Sequence, residues 1–110
     1  MGGEFLGELE QMILLAVVRL GPDAYGWAVG EELARVVGRR VSSGALYTTL
    51  DRLEGKGLLS ARAGDPRPER GGRPRRYLTA TPRGLAALQA GRKALSQLWA
   101  GIEPERRGAR

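Results

Sequence analysis

Five arginines, Arg67, Arg70, Arg73, Arg75 and Arg76, crowd one stretch of the chain, DPRPERGGRPRRYLTATPRG at residues 65–84. A guanidinium is a planar, permanently charged fork of donors that matches phosphate oxygens two at a time. Here the forks sit among prolines and glycines, and the strand-like Tyr77-Leu78-Thr79 follows at once. Two readings fit: a solvated linker, or a finger that touches phosphates. Long connections inside a small domain are mostly functional or mobile, so the flanking residues must decide.

A second group lies upstream, in SSGALYTTLDRLEGKGLL. Ser42 or Ser43 can cap a helix, its hydroxyl accepting an orphan N–H. Leu46, Leu50 and Leu53 then recur at i, i+4 and i+7 and predict one buried face. The opposite side carries Gly44, Thr48 and Asp51, flanked by Tyr47 and Arg52. Small residues at a helix start allow close approach to a sugar-phosphate backbone, and Ser hydroxyls with free N–H groups suit its oxygens. Thr48 can meet a base edge or a thymine methyl, and Arg52 a phosphate or a guanine. Tyr47 can pack on a sugar or donate to a phosphate. Plainer roles stand beside these: Tyr47 half-buried, Arg52 paired with Asp51 or Glu54, the serines as caps only.

Composition narrows the chemistry. The 110 residues carry a net charge of +6, with a pI near 10.7. That favours a polyanionic partner, nucleic acid being the commonest, over a merely solubilising charge. Cysteine and histidine are absent, which removes disulfides, thiolate sites, the usual general base and the commonest metal ligand. Ser42-Ser43 has no base to activate it. Gly55-Lys56-Gly57 lacks the spacing of a phosphate-binding loop. Glu8–Glu10 and Glu31-Glu32 read as solvated helix faces. The expectation is a protein without catalysis, cofactor or metal. The apolar run Met12–Val18 is too short to span a membrane, and Met-Gly-Gly-Glu has no cationic leader region; a cytoplasmic location is expected.

The elements that would hold these residues follow from periodicity. A first helix is predicted over 5–20, with stripes Phe5, Leu9, Met12, Ala16 and Leu6, Ile13, Val17, Leu20. Two apolar faces imply burial on two sides, one of them against a second subunit. A second helix fits 24–37, with Tyr25, Val29, Leu33 and Val36 or Val37 inward and Glu31, Glu32 and Arg35 outward. The Ser-capped helix follows. Strands are predicted at 58–63 and 75–80, and strand alternation sends Arg75 and Arg76 to opposite faces. Thr81-Pro82 starts a last helix, Thr as N-cap and Pro at its first position. Leu88, Leu95 and Ile102 recur every seven residues on it, with Leu98 and Trp99 beside them, a stripe suited to pairing with its own copy. The fold class is therefore mainly α with a small β-hairpin: a winged helix-turn-helix over 1–80, a C-terminal dimerisation helix over 81–103, and a flexible tail at 104–110. In that fold the Ser-capped helix enters the major groove, and the strands hold the arginines beside it. Candidate nucleic-acid contacts are thus Ser42, Ser43, Tyr47, Thr48, Arg52, Arg67, Arg70, Arg73, Arg75 and Arg76. Candidate dimer contacts are Leu6, Ile13, Val17, Leu88, Leu95, Leu98, Trp99 and Ile102.

LGELEQMILLAVVRLG, AYGWAV, SSGALYTTLDRLEGKGLL and ERGGRPRRYLTATPRGLAAL, in that order, resemble the PadR family of transcription regulators over about residues 5–90. The resemblance implies a dimeric repressor of double-stranded DNA, with contacts falling on Ser43, Tyr47, Arg52 and the wing arginines, and an N-terminal helix that also supports the dimer. Many members carry Pro after the Leu-Tyr pair, where this chain has Thr48. Some members bind flat aromatic effectors at the dimer interface beside a Trp of the last helix. Trp99 is on that helix and could line such a pocket or simply pack the interface; Trp27 is expected to support the second helix. An RNA-binding winged helix and a protein-interaction module are the rival readings.

Overall fold

In the computed structural model, residues 5–66 and 74–102 are described. Helix α1 (Glu8–Leu20) leads through a 3-10 turn (Gly21–Asp23) to α2 (Gly26–Val37) and α3 (Ser43–Gly55). Strands β1 (Leu59–Pro66) and β2 (Pro74–Ala80) form an antiparallel hairpin, and α4 (Pro82–Trp99) closes the order.

Helix α1 starts later than its apolar periodicity predicts. Gly7 is the N-cap, and the Glu10 carboxylate reaches back to accept the Gly7 N–H at 2.9 Å. That bond satisfies one orphan donor and fixes the start, leaving Phe5 exposed before the helix. The helix then packs against α2, α3, β2 and α4 at once. Ile13, 0% exposed, joins Leu14, Ala16 and Val17 in a core completed by Val29, Leu33, Leu46, Leu50, Leu53, Leu58, Leu59, Leu78 and Leu88. The two apolar faces of α1 are thus largely covered within one chain. Its exposed apolar residues are Leu15 and Val18, which lie on the side of the helix away from both predicted stripes.

Two glutamates read as solvated are in fact buried. Glu32 accepts from Arg19 Nε at 2.8 Å and from Arg35 Nη2 at 2.9 Å, which ties α2 to α1. Glu10, besides capping, accepts from Lys56 Nζ at 3.0 Å, tying α1 to the end of α3. The Arg19 and Arg35 hydrogen bonds outweigh desolvation and hold the Glu32 carboxyl below its ordinary 4.5. Burial pushes Glu10 up, but the Gly7 N–H, the Lys56 contact and the Arg52 charge together bring it below 4.5. A carboxylate depressed in the folded state stabilises the fold above its unfolded pKa, and that contribution is lost as pH falls through the folded value. Thermal melts followed by circular dichroism should therefore show the midpoint dropping below about pH 4.5. Glu32→Gln should melt lower at pH 7 and show less of that acid dependence.

Either Val36 or Val37 is expected inward, but both are exposed at the end of α2. The wing is anchored at its base by backbone bonds: Leu78 N–H to the Ala24 carbonyl at 2.9 Å, and Thr81 N–H to that of Leu58 at 3.1 Å. Thr81 also caps α4, its hydroxyl accepting from Gly84 N at 3.0 Å while donating to the Gly57 carbonyl at 2.7 Å. Gly84 is required by this close approach, because a Cβ there would collide with the Leu58 carbonyl oxygen. The spacing Thr81-x-x-Gly84 is thus a docking device that seats α4 on the hairpin base.

Candidate nucleic-acid interface

Helix α3 presents the face that its sequence pattern requires. Ser42 caps it, Oγ accepting from Ala45 N at 3.1 Å. Leu46, Leu50 and Leu53 are buried beneath, as is Thr49, while Ser43, Gly44, Thr48, Asp51 and Arg52 are exposed. The cap uses a lone pair of Ser42 and leaves its O–H free to donate. Among the described residues, Arg52 forms no ion pair with Asp51 or Glu54; it is exposed, and its charge also acts on Glu10. Tyr47 is 48% exposed. Its ring lies over Gly26 at the start of α2, where a Cβ would overlap the phenol. Gly26→Ala should displace that ring while leaving the core intact, since Tyr47 can swing outward. The expected result is an unchanged melting midpoint with nucleic-acid affinity reduced roughly tenfold, the scale of one lost ring or phosphate contact, measured by fluorescence anisotropy.

The wing meets this helix directly. Arg76 Nη2 contacts Glu54 Oε1 on α3 at 2.5 Å. Arg75 and Tyr77 share the other face of β2: the Arg75 guanidinium lies 3.8 Å from the Tyr25 ring centroid, and Tyr77 meets Tyr25 edge-on at 6.0 Å. Across the hairpin, Arg62 lies 4.9 Å from the Tyr77 ring. The two arginines point to opposite faces, as strand alternation demands, yet both line one cavity. Its volume is about 380 Å³, and Tyr25, Trp27, Tyr47, Leu50 and Leu78 complete its wall. The strands run further than expected, and Pro66 pairs with Pro74, so both ends of segment 67–73 are held side by side. Arg67, Arg70 and Arg73 lie outside the described residues. An exposed pair such as Arg76–Glu54 is worth only about 0.2–1 kcal/mol, so an incoming phosphate can take Arg76 from Glu54 at small cost.

Comparison with known proteins places this arrangement. The family model described as "Transcriptional regulator PadR-like family" matches residues 14–90, a span that takes in the second half of α1, the helix-turn-helix, the wing and the first half of α4. The chain belongs to the PadR-like family of transcriptional regulators. It is 46% identical over 78 residues to transcriptional regulator Rv3488 of Mycobacterium tuberculosis, a match covering 69% of this chain and 66% of that protein. The chain thus spans just under two thirds of that relative. Among solved structures, a PadR family regulator from Eggerthella lenta superposes with a TM-score of 0.66 at 30% identity, covering 86% of this chain and 82% of the other. The smu.1704 protein of Streptococcus mutans gives 0.68 at 25% identity, covering 98% and 95%.

In this PadR-like chain the apolar residues expected at a dimer interface divide in two. Leu6, Ile13, Val17 and Leu88 are covered within the single chain, because α1 is wrapped by four elements and α4 lies on it. They are core residues; Leu88 also borders a groove of about 400 Å³ whose sides include Gln11, Leu15, Arg92 and Leu95. Leu95, Leu98, Trp99 and Ile102 are exposed, Leu98 at 74%. Ile102 is off the helical seam, since α4 ends at Trp99 and Gly101 turns the chain with φ 84°. The expected tail, 104–110, lies outside the described residues.

Sequence reasoning missed the cluster of Tyr25, Trp27 and Tyr77. Trp27, expected to support the packing of α2, is 63% exposed and stacks on Tyr25 at 6.5 Å. The available signal was AYGWAV: a glycine between two aromatics leaves room for a third ring, which Tyr47 takes. Among the described residues, no single helix is long and apolar enough to cross a membrane.

Proposed function

We propose that this regulator binds double-stranded DNA sequence-specifically as a homodimer and represses transcription from a near-palindromic operator. The observation that carries the reading is the Arg76–Glu54 contact, because it joins the basic wing to the exposed face of the Ser-capped helix in one continuous surface. Ser42, Ser43, Tyr47, Thr48 and Arg52 contact the groove and its margins from α3, and Arg75, Arg76 and the arginines of 67–73 contact phosphates from the wing. Exposed Leu95, Leu98 and Trp99 on α4 support pairing with a second copy, whose helix fills the groove beside Leu15 and Leu88. Two-fold pairing sets the half-sites about 34–36 Å apart or a multiple of it. A flat aromatic effector, where one acts, would sit beside Trp99 at that interface. Charge that steers it to nucleic acid supports a place of work alongside the DNA, in the cytoplasm.

Competition separates this reading from its rivals. Labelled duplex DNA held by the protein should be displaced by unlabelled duplex far more readily than by structured RNA, whose deep, narrow major groove excludes a helix. Preferential displacement by RNA would move the function to RNA. Binding to an acidic protein that persists at high salt without nucleic acid would move it to protein docking.

A further inference from the structure

Trp27 and Tyr47 form a ridge with an arginine-bearing hollow on each side. One is the cavity of about 380 Å³ that Arg75 and Arg76 line. The other, of about 220 Å³, is lined by Arg40, Ser43, Gly30, Glu31, Val41 and Leu46, with Trp27 and Tyr47 again as a shared wall. Large aromatics left this exposed on a monomer mark a contact surface. Their placement between arginines from the wing and from the α2–α3 turn fits a track for alternating charge and apolar ring.

We propose that Trp27, on the first turn of α2, is a DNA contact, its indole packing with the Tyr47 ring on the deoxyribose between two phosphates that occupy the flanking hollows. The inference rests on the duplex-binding reading above and extends the footprint beyond α3 and the wing to the start of α2. Arg75 stiffens the arrangement. Its guanidinium lies over Tyr25, Tyr25 stacks on Trp27, and its buried Nε has no hydrogen-bond partner. The order wing arginine, Tyr25, Trp27 thereby holds the indole at a fixed height beside Tyr47. Glu31 in the second hollow opposes a phosphate there, so Glu31→Gln is expected to tighten binding.

The test uses the full chain and mixed-sequence duplex DNA at low salt, titrated by anisotropy across a salt series. Trp27→Ala should weaken binding about tenfold, the scale of a lost aromatic contact, while the slope of log affinity against log salt stays unchanged because no charge is removed. Trp27→Phe, which keeps a flat ring, should stay within about threefold of the parent. The unmodified protein supplies a second readout: saturating duplex should slow N-bromosuccinimide oxidation of Trp27, followed by mass spectrometry, at least fivefold. Parent-like affinity of Trp27→Ala, a flattened salt slope in that variant, or unchanged oxidation overturns the proposal and leaves the duplex-binding reading standing. Failure of the parent protein itself to bind duplex overturns both.

Discussion

Replacing Arg73, Arg75 and Arg76 together with alanine is expected to weaken binding to every duplex sequence and to flatten its salt dependence. The reason is counterion release: each phosphate neutralised adds about 0.9 to the slope of log affinity against log salt. Arg75 and Arg76 line the cavity beside α3, and Arg73 belongs to the segment whose ends Pro66 and Pro74 hold together. Losing two or three such contacts should lower the slope by roughly 2–3 and affinity near physiological salt by about 10- to 100-fold. Discrimination among sequences should survive, because the proposed reading assigns the base edges to α3. The fold should survive as well. Arg76 contributes one exposed pair to stability, and the Arg75 stack on Tyr25 adds about 0.5–2 kcal/mol. A salt-series titration of parent and triple variant by gel shift checks this. An unchanged slope would mean that the wing does not meet the phosphates.

The other large effect concerns assembly. Leu95→Asp places a carboxylate on the exposed stripe of α4 beside the Leu15–Leu88 groove. In a monomer that site is half solvated and the change costs little. In a dimer the charge is buried without a partner, at a cost of several kcal/mol, which raises the dimer dissociation constant by roughly two to three orders of magnitude. Sedimentation velocity at micromolar protein should therefore show monomers for the variant and dimers for the parent. Affinity for a two-half-site operator should fall with it, because the second half-site is no longer engaged intramolecularly. A variant that remains dimeric would place the interface elsewhere, with exposed Val36 and Val37 at the end of α2 the next surface to probe.

Much of the fold was legible in the sequence because local chemistry dictated it. Ser42 and Thr81 cap helices as their types predict, and Leu46, Leu50 and Leu53 turn inward at helical spacing. What was not legible depended on partners distant in the chain. Glu10 and Glu32 carry no local mark of burial; Lys56 and Arg19 bury them from 46 and 13 residues away. Ile13 and Val17 look like an outward stripe until four other elements are seen to surround α1. The candidate site divides the same way. The polar face of α3 follows from periodicity, whereas the ridge of Trp27 and Tyr47 depends on Gly26 letting one helix start beneath a ring of another. The stop of α4 at Trp99 was foreshadowed by Gly101 and Pro104, since neither residue favours helix continuation, but the heptad spacing of Ile102 masked it.

The central claim is that α3 and the wing form a single duplex-reading surface, doubled by symmetry. Selection of bound fragments from random-sequence duplex DNA by the purified protein tests it most directly. The account predicts enrichment of two inverted half-sites whose centres lie about one helical turn, or a whole number of turns, apart. Recovery of unenriched sequence, or of a lone asymmetric motif with no inverted copy, would contradict it.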